Sequence, residues 1–130
     1  MSARDTFPGV VQEILPAVEH ASLHFRDAIS AVEMAKACRI SVRKLQQTFR
    51  DNLGMTPQDF VMRLRIDQSL QMMLDSNLEL SFIATDCGFA DQSAFSRKFR
   101  ALMGESPLRY RKRVLAEPAR IAVRASKSEG

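Results

Sequence analysis

The stretch Cys87-Gly88-Phe89-Ala90-Asp91-Gln92-Ser93-Ala94-Phe95-Ser96-Arg97-Lys98-Phe99-Arg100 decides the fold, because it reads as a sharp turn feeding a short two-faced helix. Gly88 supplies a backbone able to take positive φ at the end of one helix, and Asp91 is a strong N-cap for the next. From there Phe95, Phe99, Leu102 and Met103 recur at helical spacing and should be buried. Gln92, Ser93, Ser96, Arg97 and Arg100 fall on the opposite face. Such short or planar hydrogen-bonding groups are suited to base edges and phosphates in a major groove, so the segment is expected to be a recognition helix.

Working outward, Ser81 is expected to cap a short helix through Phe82, Ile83, Ala84 and Cys87. After Gly104, the pair Ser106-Pro107 starts a last helix with a weak apolar face of Tyr110, Val114 and Leu115. Upstream, Thr56-Pro57 opens a helix whose apolar positions Phe60, Leu64, Leu70, Met73 and Leu74 carry it to about Asp75, with Ser76-Asn77 closing it. At ~1.5 Å per residue this predicts a stiff connector of roughly 28 Å. Before it, Ser30 and Glu33 form a capping box for a helix through Val32, Met34, Ala35 and Cys38, which ends at Arg39-Ile40. Ser41 caps the next helix, where Val42, Leu45, Phe49 and Leu53 make a buried stripe and Arg43, Gln46, Gln47 and Arg50 lie across from it. Two short helices around a brief turn, the second polar and basic outside, have helix-turn-helix geometry. A first helix over Val10, Val11, Ile14, Leu15, Val18, Leu23 and Phe25 precedes them, kinked or restarted at Pro16.

Composition narrows the class. With 130 residues, 45% hydrophobic and 26% charged, and only five Gly and five Pro, the chain suits one helical globular unit, or two very small ones sharing a helix. The net charge of +4 is uneven: residues 1–108 carry 12 Lys+Arg against 13 Asp+Glu, whereas residues 109–130 carry 7 against 2. The basic cluster Arg109, Arg111, Lys112, Arg113 suits either a polyanion or a solvated tail. Cys38 and Cys87 close apolar helical patterns and read as small core residues in a reducing compartment. His20 and His24 share a helix face but lack a third ligand at suitable spacing, so they read as surface or packing histidines and no metal is expected. No leader or membrane-spanning pattern is present, which predicts a soluble cytoplasmic protein. Paired carboxylates, a nucleophile with its base and a phosphate-binding glycine loop are missing from the pattern, so neither an enzyme nor a cofactor is expected.

The chain repeats itself. A shift of 50 residues superposes Phe49 on Phe99, Arg50 on Arg100, Gly54 on Gly104, Pro57 on Pro107 and Arg63 on Arg113, with Leu45 on Phe95, Thr56 on Ser106 and Phe60 on Tyr110. Upstream the shift becomes 49, setting Ala35 on Ala84, Cys38 on Cys87 and Arg39 on Gly88. Two helix-turn-helix units on one stiff helix would let a monomer reach successive major grooves, about 34 Å apart.

These residues resemble the DNA-binding domain of AraC/XylS-type transcription regulators, from about His24 to Arg113. The resemblance is most specific over the opening stretch and over Gly104-Glu105-Ser106-Pro107-Leu108-Arg109-Tyr110-Arg111. It implies an all-α fold of about seven helices, with two homeodomain-like helix-turn-helix subdomains joined by a long central helix. The expected divisions are residues 1–9 (disordered or an artificial start), 10–55 (first subdomain), 56–76 (linker helix), 77–116 (second subdomain) and 117–130 (mobile basic tail). By position, the resemblance makes Arg43, Gln46 and Gln47 base readers in the first unit and Gln92, Ser93, Ser96 and Arg97 in the second. Lys44, Arg50, Lys98 and Arg100 read as phosphate contacts or solvated charges, and Arg39, Arg109 and Arg111 as further phosphate contacts. Family members usually have Gly where this chain has Arg39.

The expected partner is double-stranded DNA, with RNA polymerase as a further candidate and no membrane or small-molecule ligand. The expected role is a small stand-alone regulator or the C-terminal fragment of an effector-responsive activator. The competing reading is a helical protein-interaction module on the same fold that docks on the transcription machinery.

Overall fold

Capping residues written into the sequence set most helix boundaries. The computed structural model describes residues 12–75 and 77–116, and all regular secondary structure among them is helical. The seven helices are α1 (Leu15–His24), α2 (Ala31–Cys38), α3 (Val42–Leu53), α4 (Pro57–Met72), α5 (Leu80–Asp86), α6 (Gln92–Met103) and α7 (Pro107–Ala116). The expectations for residues 1–9 and 117–130, for Val10 and Val11, and for Ser76 lie outside the described residues.

The Glu33 amide donates to Ser30 Oγ at 3.2 Å and the Lys44 amide to Ser41 Oγ at 3.0 Å. Asp59 does the same to Thr56 Oγ1 at 3.1 Å, Ala94 to Asp91 Oδ1 at 2.8 Å and Arg109 to Ser106 Oγ at 3.2 Å. Each satisfies one of the amides that a helix start leaves without an internal partner. Pro57 and Pro107 take first positions, where a missing N–H removes no helical bond. Pro16 likewise falls in the first turn of α1 and starts that helix instead of kinking it.

Two boundaries differ from the expectation. α4 ends at Met72, not Asp75, because the Leu74 and Asp75 amides donate three residues back, to the carbonyls of Gln71 (3.3 Å) and Met72 (3.1 Å), tightening the last turn. Its 16 residues therefore span roughly 24 Å. α5 is capped by Glu79 without a side-chain bond, and Ser81 lies inside it. The cause is the preceding connector: the Asn77 amide donates to Asp75 Oδ1 at 2.9 Å and the Leu78 amide to the Asp75 carbonyl at 3.1 Å, which closes the turn early enough for the helix to start at Leu80.

The chain divides into two compact units between Asp67 and Gln68, within α4. In the first, α1 packs on α2 and α2 on α3 around Ile14, Ala17, Val18, Ala21, Met34, Leu45 and Phe49, with Val42, Leu53 and Phe60 half-buried against them. Leu23 lies outside this core, 78% exposed, because it is two residues beyond buried Ala21 and so projects from the opposite side of α1. Cys38 is half-buried, and burial above all, with the charge of Glu13 adding and a backbone hydrogen bond from Ala17 opposing, raises its thiol pKa. A raised pKa favours the protonated thiol over the thiolate.

In the second unit α5 packs on α6 and α6 on α7. Four rings form a ladder: Phe89 to Phe95 at 5.3 Å, Phe95 to Phe99 at 5.6 Å and Phe99 to Tyr110 at 5.6 Å. The last contact has an interplanar angle of 67°, and its counterpart in the first unit, Phe49 to Phe60, lies at 5.7 Å with the same angle. The 50-residue repeat is therefore a repeat of packing as well as of caps. Cys87 is fully buried, with Sγ 3.7 Å from Met72 Sδ. Leu102 and Met103, expected to be buried, are 40% and 37% exposed, because Phe99 is the last ring that α6 gives to the ladder and the final turn of the helix runs past it.

Candidate nucleic-acid interface

Each unit presents the second helix of its helix-turn-helix from a turn with the same hydrogen bonding. After α2 the Arg39 amide donates to the Lys36 carbonyl and the Ile40 amide to the Ala35 carbonyl, both at 3.1 Å. After α5 the Gly88 amide donates to Thr85 at 3.1 Å and the Phe89 amide to Ala84 at 3.0 Å. Both closures require a left-handed residue, and the backbone supplies it at Gly88 with φ 101° and at Arg39 with φ 59°. Gly88 takes this conformation without penalty, whereas a side chain with Cβ costs about 1 kcal/mol there. Arg39→Gly should therefore raise the thermal midpoint of the first unit by a few degrees, measured by circular dichroism, since the strain relieved outweighs the extra freedom of the unfolded chain.

From these turns α3 and α6 run for 12 residues each and end at Gly54 and Gly104 in the left-handed region. Arg43, Gln46, Gln47 and Arg50 are exposed on α3, opposite buried Leu45, Thr48 and Phe49. On α6, Gln92, Ser93 and Arg97 are exposed and Ser96 is half-buried. These four residues line one shallow, open depression, so the structure brings the second set of expected base readers onto a single surface. An amide, two hydroxyls and a guanidinium side by side offer donors and acceptors in the mixture that base edges present.

The expected phosphate residues separate. Arg39, Arg50, Arg100 and Arg109 are exposed, Lys98 is half-buried, and Lys44 lies with Nζ 4.0 Å from Glu13 Oε1. Arg111 does not belong with them. It is 9% exposed, and its guanidinium donates to the Asp75 carbonyl, fastening α7 to the connector before α5. Its sequence neighbours misled because a guanidinium in a basic run looks solvated until the helix register turns it inward. Nothing in its charge distinguishes it from Arg109 or Lys112.

Arg65 supports the interface from within. Only 8% exposed on α4, it donates through Nε to the Phe25 carbonyl at 2.6 Å and through a terminal nitrogen to the Asp27 carbonyl at 2.9 Å. Burial lowers its pKa from the ordinary arginine value. It anchors the loop before α2 and so fixes where the first helix-turn-helix begins. An arginine between Leu64 and buried Ile66 was the available signal. The His20 and His24 ring centroids lie 4.8 Å apart with the planes tilted by 43°, and His20 Nε2 is 3.6 Å from Glu33 Oε2. Among the described residues no group of three His, Cys, Asp or Glu side chains is placed to hold a metal ion.

Comparison with known proteins fits this geometry. A family model described as a helix-turn-helix domain matches residues 34–113, more than half of the chain and both turn-helix segments. The chain belongs to the AraC-type helix-turn-helix family. AraC-type domains bind DNA in transcription regulation and are not an enzyme class. The chain is 36% identical over 87 residues to a probable transcriptional regulator, LumQ, of Photobacterium leiognathi, covering 67% of this chain and 35% of the relative. It is also 36% identical over 84 residues to the transcriptional activator RhaS of Escherichia fergusonii, covering 65% of this chain and 30% of that one. The chain thus spans about a third of the length of these relatives. Among solved structures, the DNA-binding domain of AdpA in complex with a target DNA superposes with a TM-score of 0.75 at 25% identity, covering 83% of this chain and 98% of that one. An AraC-type regulator from Chromobacterium violaceum shares the fold with a TM-score of 0.73 at 24% identity, covering 82% and 94%. No described helix is long and apolar enough to cross a membrane.

Proposed function

We propose that this chain reads double-stranded DNA in sequence-specific fashion as part of transcription regulation, with α3 and α6 each entering a major groove. The observation that carries the reading is the repeated arrangement itself. Two 12-residue helices, each the second of a helix-turn-helix, carry exposed amide and guanidinium groups opposite a face with buried phenylalanine, and α6 adds the hydroxyls of Ser93 and Ser96. In this reading Arg43, Gln46 and Gln47 face bases in one element of the site, and Gln92, Ser93, Ser96 and Arg97 face bases in the other. Arg39, Lys44, Arg50, Lys98, Arg100 and Arg109 meet phosphates. One chain carries both helices, so a monomer suffices, acting in the cytoplasm wherever the DNA lies.

Selection of bound sequences from a random duplex pool tests this. Enrichment of a motif with two elements about one helical turn apart is expected. Gln46→Ala should relax preference at one or two positions, because an amide facing adenine supplies about 1–3 kcal/mol of discrimination. Arg100→Ala should weaken all sites alike and lower the slope of log affinity against log salt by about 0.9, the effect of one phosphate contact. The competing reading, docking on RNA polymerase through the same fold, predicts no enriched motif and full function after joint replacement of Arg43, Gln46 and Arg97 by alanine.

A further inference from the structure

The polar face of α3 holds a contact that its counterpart on α6 does not repeat. Gln47 Nε2 donates to Asp51 Oδ1 at 2.9 Å, one turn further on, with both side chains exposed. An ionised carboxylate only accepts, so it decides which way the amide lies: Nε2 turns toward Asp51 and Oε1 away from it. At the 50-residue shift Gln47 and Asp51 stand opposite Arg97 and Ala101. A guanidinium presents donors on every edge and has no flip to settle. A glutamine amide has two orientations that offer opposite patterns, and only the glutamine is accompanied by a carboxylate.

Asp51 is also misplaced by charge alone. It lies on the helix that carries Arg43, Gln46 and Arg50, where a negative group would repel a polyanion. Among the described residues no carboxylate–cation pair involves it, so it does not serve to neutralise a neighbouring cation.

We infer that Asp51 is a positioning residue for base recognition: by holding one N–H of Gln47 it fixes Oε1 and the second N–H outward as an ordered acceptor and donor. That ordered pair matches N6 and N7 of adenine in the major groove. The first unit therefore demands adenine at the base Gln47 faces, and Asp51 sets the strength of that demand without touching DNA. The inference rests on α3 being a recognition helix.

Sequence selection followed by competition binding with the full chain tests it. The wild-type motif should contain one adenine whose preference falls about tenfold in Gln47→Ala, within what a bidentate pair supplies. Asp51→Ala should cause a similar loss at that same position while binding to unselected duplex tightens severalfold, since a negative charge has gone. Asp51→Asn, which keeps the shape but both donates and accepts, should lose the preference too. Asp51→Ala made in the Gln47→Ala background should change no base preference further. Retention of the adenine preference in Asp51→Ala, with affinity rising equally on every sequence, would overturn the inference and leave the recognition reading standing. Failure of the wild-type chain to enrich any motif would overturn both.

Discussion

Phe99→Ala should unfold the second unit at room temperature while the first retains its helices. Phe99 is completely buried and is the ring against which both Phe95 and Tyr110 pack, at 5.6 Å each. Truncating such a side chain removes its transfer free energy and leaves a cavity, together about 3–5 kcal/mol. A unit of this size has little more than that in total. The chain supplies its own reporter, because Tyr110 is the only tyrosine and there is no tryptophan. Tyrosine fluorescence during a urea titration therefore follows the second unit, whereas the far-ultraviolet circular dichroism follows both. In Phe99→Ala the fluorescence should read unfolded from the start, and a residual helical transition should remain. Phe99→Leu, which preserves most of the volume, should cost only about 1.5 kcal/mol and shift the fluorescence midpoint without abolishing it. Coincident loss of both signals in Phe99→Ala would show that the units do not unfold separately.

Arg65→Met is expected to destabilise the first unit by about 3 kcal/mol, although it swaps a charged residue for an apolar one of similar length. The methionine restores the packing, and the loss includes the two charge-assisted hydrogen bonds to the Phe25 and Asp27 carbonyls at 2.6 and 2.9 Å. Those carbonyls then release the loop that sets the start of α2. Arg65→Lys should recover little, since an ammonium lacks the planar fork that spans two acceptors. Loss of helical signal at lower urea, with the Tyr110 transition unmoved, is the expected result. An unchanged first transition would show that the loop is held by its packing instead.

What the sequence disclosed follows from which forces act locally. Caps were legible at Ser30, Ser41, Thr56, Asp91 and Ser106 because an N-cap depends on residues three apart in the chain. The positive-φ turns could be located from Gly88, and at Arg39 from the repeat. Ser81 misled because the Asp75 turn upstream decided where α5 began, a competition between two local signals that propensity does not rank. Burial at helix ends was less legible: Leu102 and Met103 continue an apolar period past the last covered turn of α6, and Leu23 is apolar but lies on the far side of α1. Arg65 and Arg111 were hidden for a third reason. Their partners are backbone carbonyls 36 to 40 residues away, and every residue carries a carbonyl, so no side chain in the sequence marks the acceptor. The exposed rows on α3 and α6 could be read directly, since a helix with one aromatic face leaves the other to solvent.

The two buried arginines break the symmetry of the repeat. At a shift of 50 residues Arg111 stands opposite buried Val61, not opposite Arg65, which is a turn further along. Both arginines tie their helix to the loop that opens the helix-turn-helix, but from different registers. The repeat therefore does not extend to these latches, and each half is fastened by a contact of its own. Both latches lie within their own unit, Arg65 in the first and Arg111 in the second. A substitution that frees the loop before α2 by removing Arg65 therefore leaves the Arg111 contact that fastens α7 in place.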